Sequence, residues 1–291
     1  MRKNFRLPNF RSLKPKNPWP FLSAVWRKFH RDNAFFLARG LAFDVLVCLI
    51  PALFLLFVLF GFLFDSSRET IQYMSSYMKS MIPFSQQQVL RNLFSVVRNQ
   101  KVLGILGGIG IVWTLSRLFG TIRTVLDTIF EAKKKRSLLQ GKIFDLKMMG
   151  VGSLFLLATV FVTSLSSMLR QMTPQTLGVK FLYLGMRGEL TILLLGFVFT
   201  ICLFFFLYKF VPEQKIQTRH ALYSALAASI LWELAKQIFR FYLMNVAEWN
   251  KVYGSFTLLF ALVLWVYYSC IVFILGAEMG WAWSRKEKSA E

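Results

Sequence analysis

The sequence predicts an all-α protein, a polytopic membrane bundle of six transmembrane helices with amphipathic interfacial helices beside them. Three observations predict it. First, the 291 residues are 56% hydrophobic and only 17% charged, whereas soluble domains carry about a quarter charged residues. Second, the stretches 45–64, 148–169, 190–208 and 252–277 contain no charged residue, and a helix needs about twenty such residues to cross the hydrocarbon core. Third, these runs do not alternate in polarity, as the strands of a membrane barrel would over roughly ten residues each.

The elements follow in chain order. Residues 1–20 hold six Lys or Arg, no acid, and Pro8, Pro15, Pro18 and Pro20. This composition predicts a disordered basic cytoplasmic arm. Next to a membrane such an arm attracts anionic headgroups, at about 1 kcal/mol per basic residue; a merely solvated tail that enforces topology fits equally well. Within 21–40, Leu22, Val25, Trp26 and Phe29 recur at helical spacing, with Arg27, Lys28, Arg31 and Asp32 turned away. That pattern predicts an amphipathic helix lying in the cytoplasmic interface. His30 on it, and His220 in a later loop, read as structural.

The first crossing is expected near 42–64. No short apolar core of a cleavable signal precedes it, so it is expected to stay in the mature chain. Residues 66–100 show helical periodicity on both sides of Pro83, with Ser85 and Gln88 spaced as a capping box. Two amphipathic helices are expected there. The second crossing, near 102–122, is interrupted by Arg117. Crossings near 148–169 and 190–208 follow. The fifth, near 221–247, opens with twelve uncharged residues, and the sixth lies near 252–277. The membrane domain is thus expected over 21–278, with a short basic tail at 279–291.

Six crossings put both termini on one side. The segments on that side carry 22 Lys and Arg, those on the other carry 9, and basic loops stay cytoplasmic. Both termini are therefore expected in the cytoplasm. The net charge of +21 is mostly this topology signal, concentrated in the arm and in Lys133–Arg136. No nucleic-acid recognition motif accompanies it, so nucleic acid is not an expected partner.

Small residues predict how the helices pack. Gly104 and Gly108 form one GxxxG pair and Gly276 and Gly280 another, while Ala221, Ala225 and Ser229 form a ridge. Such positions let membrane helices approach closely, within one chain or in a homo-oligomer. A phosphate-binding loop at Gly104–Gly110 fails on context, since no strand precedes it and no Lys-Ser/Thr follows. Trp19, Trp26, Trp281 and Trp283 fall near the inner boundary and Trp249 near the outer one, as an aromatic belt would. Trp113 and Trp265 are mid-span and are expected to pack in the bundle.

The charges at lipid depth carry the functional question. Glu233, Lys236 and Arg240 lie within about 60° of one another around the fifth helix. A charge facing lipid at mid-bilayer costs at least about 2.5–3.5 kcal/mol, so the stripe is expected to face the bundle interior or an aqueous cavity. Asp44, Arg117 and Glu278 are expected to form an inner polar cluster. Together the two groups would make a polar track. The plainer reading is a structural Glu233–Lys236 ion pair, with Arg117 and Arg240 snorkelling to the two surfaces.

No metal-binding, nucleotide-binding or hydrolase motif is present, and two distant histidines do not make a metal centre. Cys48, Cys202 and Cys270 lie in apolar spans at no metal-ligand spacing and read as small apolar residues. No catalytic residue, metal or cofactor is expected.

Three stretches resemble the YihY/BrkB family of bacterial inner-membrane proteins. They are ARGLAFDVLVCLIPALFLL at 38–56, with Pro51; VWTLSRLFGTIRTVLDTIFE at 112–131, with Trp113, Ser116 and Arg117; and VYGSFTLLFALVLWVYYSCIVFILGAE at 252–278. In the last, Tyr253-Gly254-Ser255, Trp265, Tyr267 and Gly276-Ala277-Glu278 match the family's signature. LYKFVP at 207–212 and LWELAKQIFRFY at 231–242 also fit. Asp44 departs from the pattern, since an aromatic is more usual there.

The resemblance implies six helices in the inner membrane. Family members have been labelled virulence or serum-resistance factors, and also a ribonuclease, for which these residues supply no site. The functional expectation is a non-enzymatic transporter or export factor for a lipid or another anionic amphiphile. Arg117, Lys236 and Arg240 would bind the anion, and Glu233 would balance charge or carry a proton. The alternative is a structural or interaction protein of the envelope, with membrane lipids as its partners.

Overall fold

Hydrocarbon offers no water to a backbone amide, so a chain that crosses it must satisfy its own hydrogen bonds, and the helix does so locally. The computed structural model describes residues 19–63, 100–132, 139–152, 154, 185–246 and 256–288, and its regular elements there are all helices. They are α1 (Trp19–Arg31), α2 (Ala34–Leu63), α3 (Gln100–Ile129), α4 (139–152), α5 (Gly185–Phe210), α6 (Thr218–Val246) and α7 (Phe256–Lys288). Among the described residues, three stretches are long and apolar enough to cross a membrane: Ala34–Leu56, Gly104–Ile129 and Leu259–Glu287. Gly196–Phe210 is apolar but shorter. α6 covers the expected fifth crossing; Glu233, Lys236 and Arg240 interrupt its apolar character. Residues 1–18, the paired amphipathic helices expected over 66–100, most of the 148–169 run, Trp249 and residues 289–291 lie outside the described residues.

The amphipathic helix expected over 21–40 is corrected. The chain breaks at Asp32-Asn33 into α1 and the start of α2. Asn33 adopts a left-handed conformation (φ 51°), which Asn tolerates better than most residues. Its N–H donates to the His30 carbonyl, and its own carbonyl accepts from Phe36 (2.8 Å) and Leu37 (3.1 Å). One residue thus closes α1 and opens α2. α1 is not simply laid on a lipid surface either. Ala24, Val25, Lys28 and Phe29 are buried, and Leu22 and Trp26 are exposed. The charge expected to face water, Lys28, is turned into the protein.

α3 ends in a Schellman motif. The Ala132 N–H donates to the Asp127 carbonyl (2.9 Å) and the Glu131 N–H to that of Thr128 (3.3 Å). Glu131 occupies the left-handed position (φ 55°) where glycine is usual.

By internal contacts the chain divides into two units, Phe43–Leu118 and the remainder, with the boundaries inside α2 and α3. In Phe43–Leu118 the described parts of α2 and α3 meet through glycine. A Cβ at Gly107 would lie 3.1 Å from Leu55 Cδ2, and one at Gly110 would lie 3.0 Å from Pro51 Cβ. The expected Gly104/Gly108 pair is corrected accordingly. Gly104 makes ordinary contact with Val58 and Gly108 faces open space. The glycines of this contact are spaced i, i+3 rather than i, i+4. Gly110 receives Pro51, whose ring removes a helix hydrogen bond from α2 and favours a bend.

In the remaining unit, α7 packs against α6 and α1, and α6 also packs against α5. The buried face of α6 is Ala221, Ser224, Ala225, Ala228 and Ser229, the i, i+3, i+4, i+7, i+8 stripe of one helix face. It meets the expected glycines of α7. A Cβ at Gly276 would lie 2.5 Å from Ala228 Cβ and 2.8 Å from Tyr208 Oη, and one at Gly280 would overlap Ser224. Tyr208, from α5, reaches the same seam and donates its hydroxyl to the Phe273 carbonyl (2.7 Å). Lipid is as apolar as leucine, so contacts of this kind, rather than a hydrophobic drive, hold such helices together. The outward residues are correspondingly large and apolar: Ile105, Ile109, Ile238, Phe241 and Phe260 are all exposed. That surface suits hydrocarbon and not water.

The two glycine contacts give opposed expectations. Gly276→Ala overpacks the α6–α7 seam and should destabilise by about 1–3 kcal/mol. Gly108→Ala adds a methyl in open space and should be neutral or stabilise by up to about 1 kcal/mol. Thermal unfolding of the two variants in detergent distinguishes them.

Candidate functional site

α6 carries its charges beyond the small-residue seam. Glu233 follows Trp232 just past Ser229, and the helix presents Lys236 one turn on and Arg240 one turn further. Lys236 Nζ lies 2.6 Å from Glu233 Oε1, as an i, i+3 pair of opposite sign allows. Arg240 is exposed and has no ion pair or hydrogen bond among the described residues. Lys236 and Arg240 line a groove of about 470 Å³ with Phe239, Leu243, Met244 and Trp265. Trp265 comes from α7 and is fixed by aromatic contacts to Phe239 (4.7 Å between centroids) and Trp232 (5.4 Å). Two cations therefore stand above an aromatic and aliphatic wall. Of the two positions expected for the stripe, the bundle interior or an aqueous cavity, the groove is not a closed interior: Lys236 and Arg240 are exposed and Glu233 is partly so.

The expected inner cluster splits. Asp44 on α2 and Arg117 on α3 do pair, with Nη2 3.2 Å from Oδ1. Asp44 is buried, while Arg117 is half exposed and lays its guanidinium 5.5 Å from the Trp113 ring centroid. Trp113, expected inside the bundle, is exposed. An apolar stem with its charge tied to a neighbour is what a snorkelling arginine needs.

Glu278 belongs to another group of charges. Its Oε2 lies 3.0 Å from Lys28 Nζ on α1, and Lys28 also pairs with Asp32. Asp32 accepts from Arg31 Nε (3.0 Å). Arg31 and Arg285 both hold Glu131, at 2.7 and 2.8 Å. Buried Trp281 is the hub of this network: Lys28 Nζ lies 4.5 Å, Arg285 Cζ 5.3 Å and Arg31 Cζ 5.7 Å from its ring centroid. The cations face the ring's negative quadrupole and are spaced apart by the three acids. Burial alone would raise the Glu131 carboxyl. The hydrogen bonds from Arg31 and Arg285, with the nearby positive charge of Arg285 and Lys28, hold it below its ordinary value instead.

Sequence reasoning missed two features. Lys28 was expected in water because charge on an amphipathic helix usually faces it; the signal that could have corrected this was its i, i+4 spacing from Asp32. The second is a node around Arg123. Its Nε and Nη2 hold Asp145 on α4, at 3.0 and 3.2 Å, and its Nη1 holds Glu213 in the α5–α6 loop, at 3.0 Å. The Glu213 N–H donates to Asp127 (2.8 Å). Gly120 and Gly141 leave room for it, since a Cβ at either would press on Asp145 or Arg123. Asp145 and Glu213 are distant in sequence, so spacing gave no sign of the pairing.

The Glu131 network has a pH signature. Its carboxyl is depressed in the folded state, so its stabilisation is present above the ordinary Glu pKa and is lost as pH falls through the folded value. The melting temperature of wild type should exceed that of Glu131→Gln by a constant margin above about pH 5, and the margin should shrink as pH falls below the ordinary Glu value. Thermal unfolding of both proteins across that range checks it.

Comparison with known proteins agrees with this architecture. The family model described as virulence factor BrkB matches residues 25–291. A UPF0761 membrane protein of Psychromonas ingrahamii is 25% identical over 91% of this chain and 88% of its own length. A UPF0761 membrane protein of Pseudoalteromonas atlantica is 28% identical over 86% of this chain and 81% of its own. A UPF0761 membrane protein of Prosthecochloris aestuarii is 26% identical over 89% of this chain but only 59% of its own, longer sequence. No solved structure matches. The chain belongs to the virulence factor BrkB family of bacterial membrane proteins.

Proposed function

We propose that this protein is a non-enzymatic transporter or export factor of the bacterial inner membrane, acting on a lipid or another anionic amphiphile. The observation that carries the reading is the α6–α7 groove, where Lys236 and Arg240, the latter without an ion pair among the described residues, stand over Phe239, Leu243, Met244 and Trp265. An amphiphilic anion has the same two halves. Its anionic group would meet the arginine fork, which suits phosphate and carboxylate bidentately, and its chains would lie on the apolar wall. Glu233 would hold Lys236 when no ligand is bound. Arg117, already tied to Asp44, would act at a different point of the path. The reading includes six crossings over 21–278 with both termini cytoplasmic, supported by the bias of basic residues, and a basic arm at 1–20 that attracts anionic headgroups.

Reconstitution tests it. In liposomes, movement of a fluorescent anionic phospholipid should fall about tenfold or more in Arg240→Ala, the worth of a hydrogen bond to a charged group at ~1.5–3 kcal/mol. Background movement by wild type across a panel of anionic lipids and amphiphiles would refute the reading.

A second reading, a structural or interaction protein, is favoured by one observation: Glu233 and Lys236 already satisfy each other at 2.6 Å. Exchanging them, as Glu233→Lys with Lys236→Glu, separates the two. Recovery of both fold and cellular phenotype means that pairing suffices. Recovery of fold without phenotype means that the position of each charge matters, as a ligand site requires.

A further inference from the structure

Glu278 has no solvent exposure. Its Oε2 is 3.0 Å from the ammonium of Lys28, itself 2% exposed, but neither of its oxygens has a well-directed hydrogen-bond donor among the described residues. Lys28 is moreover shared with Asp32. A carboxylate so placed has no directed hydrogen bond and only part of a counter-ion. Burial penalises the charged form of such a group, and neutralisation by a proton relieves it.

The neighbours grade toward solvent. The Asp32 side chain is 9% exposed and pairs with Arg31, and the outer members Arg31, Glu131 and Arg285 are 37%, 35% and 45% exposed. Positive and negative groups alternate along the series Glu278, Lys28, Asp32, Arg31, Glu131, Arg285. The groups of α1 that act on Glu278 are Lys28, Asp32 and Arg31. α7 itself adds Arg285, and the end of α3 adds Glu131. α6, against the opposite side of α7, brings His220, which is paired with Glu287 at 2.7 Å.

We propose that Glu278 is a proton-binding site, loaded from the protein face that carries Glu131 and Arg285. The proton comes from solvent at that face and ends on Oε1. The carboxylate loses its charge, and Lys28 keeps its bond to Asp32. The ionic tie between α1 and α7 then reduces to a neutral contact, so proton uptake changes how firmly α1 is held to α7. The inference goes beyond the transport reading and does not rest on it, and its test uses no transported molecule.

Infrared difference spectroscopy of the protein in lipid nanodiscs reads the site directly, through the carbonyl stretch of a protonated carboxylic acid. Wild type should show such a band growing as pH falls, and Glu278→Gln should lack it. Lys28→Met, which removes the cation, should raise the midpoint. Asp32→Asn, which removes a competing anion and leaves Lys28 to Glu278, should lower it. Each shift should be roughly one pH unit or more. Should Glu278→Gln fail to fold, wild type labelled with ¹³C-glutamate identifies the band as a glutamic acid, and the opposed shifts in the other two variants assign it. A wild-type spectrum without a titrating glutamic acid band beyond that of Glu278→Gln overturns the proposal. So does a midpoint indifferent to Lys28 and Asp32.

Discussion

A formal charge withdrawn from water needs a counter-charge within the protein, and much of the polar structure among the described residues follows from that constraint. Asp44 takes Arg117, Glu233 takes Lys236, Glu278 takes Lys28, and Arg123 takes Asp145 and Glu213. Each pair links residues on different helices, on a helix and a loop, or on successive turns of one helix, so the pairing also fixes geometry. Ion pairs of this kind add little net stability, because desolvation consumes much of the attraction. Their effect is on register: the helices can meet only where the charges match. Arg240 stands outside the scheme among the described residues, which is why it draws attention as a ligand group.

α7 shows how close packing and charge are kept apart. Gly276 and Gly280 admit the small-residue face of α6, while Glu278, two residues from each and so about 200° around the helix, faces α1. Trp281 extends that second face and gathers Lys28, Arg31 and Arg285 around its ring. One helix thus presents a tightly fitted apolar face and an ionic one without either intruding on the other. The close-fitting side tolerates no added methyl group. The ionic side holds a carboxylate whose charge can change.

Some of this was legible in the residues and some was not. The helical class, the Gly276/Gly280 seam, the Ala221–Ser229 ridge and the Glu233–Lys236 pair follow from local spacing, which sequence carries directly. Gly104/Gly108 misled, because Gly107 and Gly110 are equally glycine and only the position of Pro51 on the partner helix selects them. Lys28 misled for a related reason: a lysine looks solvent-bound until its partner, 250 residues away, is known. Arg123, Asp145 and Glu213 were silent because no spacing rule joins three loop-proximal charges from different parts of the chain. Periodicity describes a helix's own faces; which neighbour each face meets is tertiary information.

The central claim is that the groove holding Lys236 and Arg240 is a wet, ligand-accepting surface, distinct from the lipid-facing side of the same helix. Accessibility to a membrane-impermeant maleimide in intact membranes measures this most directly, in a background where Cys48, Cys202 and Cys270 are replaced. Leu243→Cys lies in the groove, and Ile238→Cys lies on the exposed apolar side. The account predicts rapid labelling at 243 and little at 238. Equal protection of both positions would contradict it, because the groove would then be filled with hydrocarbon and its charges would have no anion to meet.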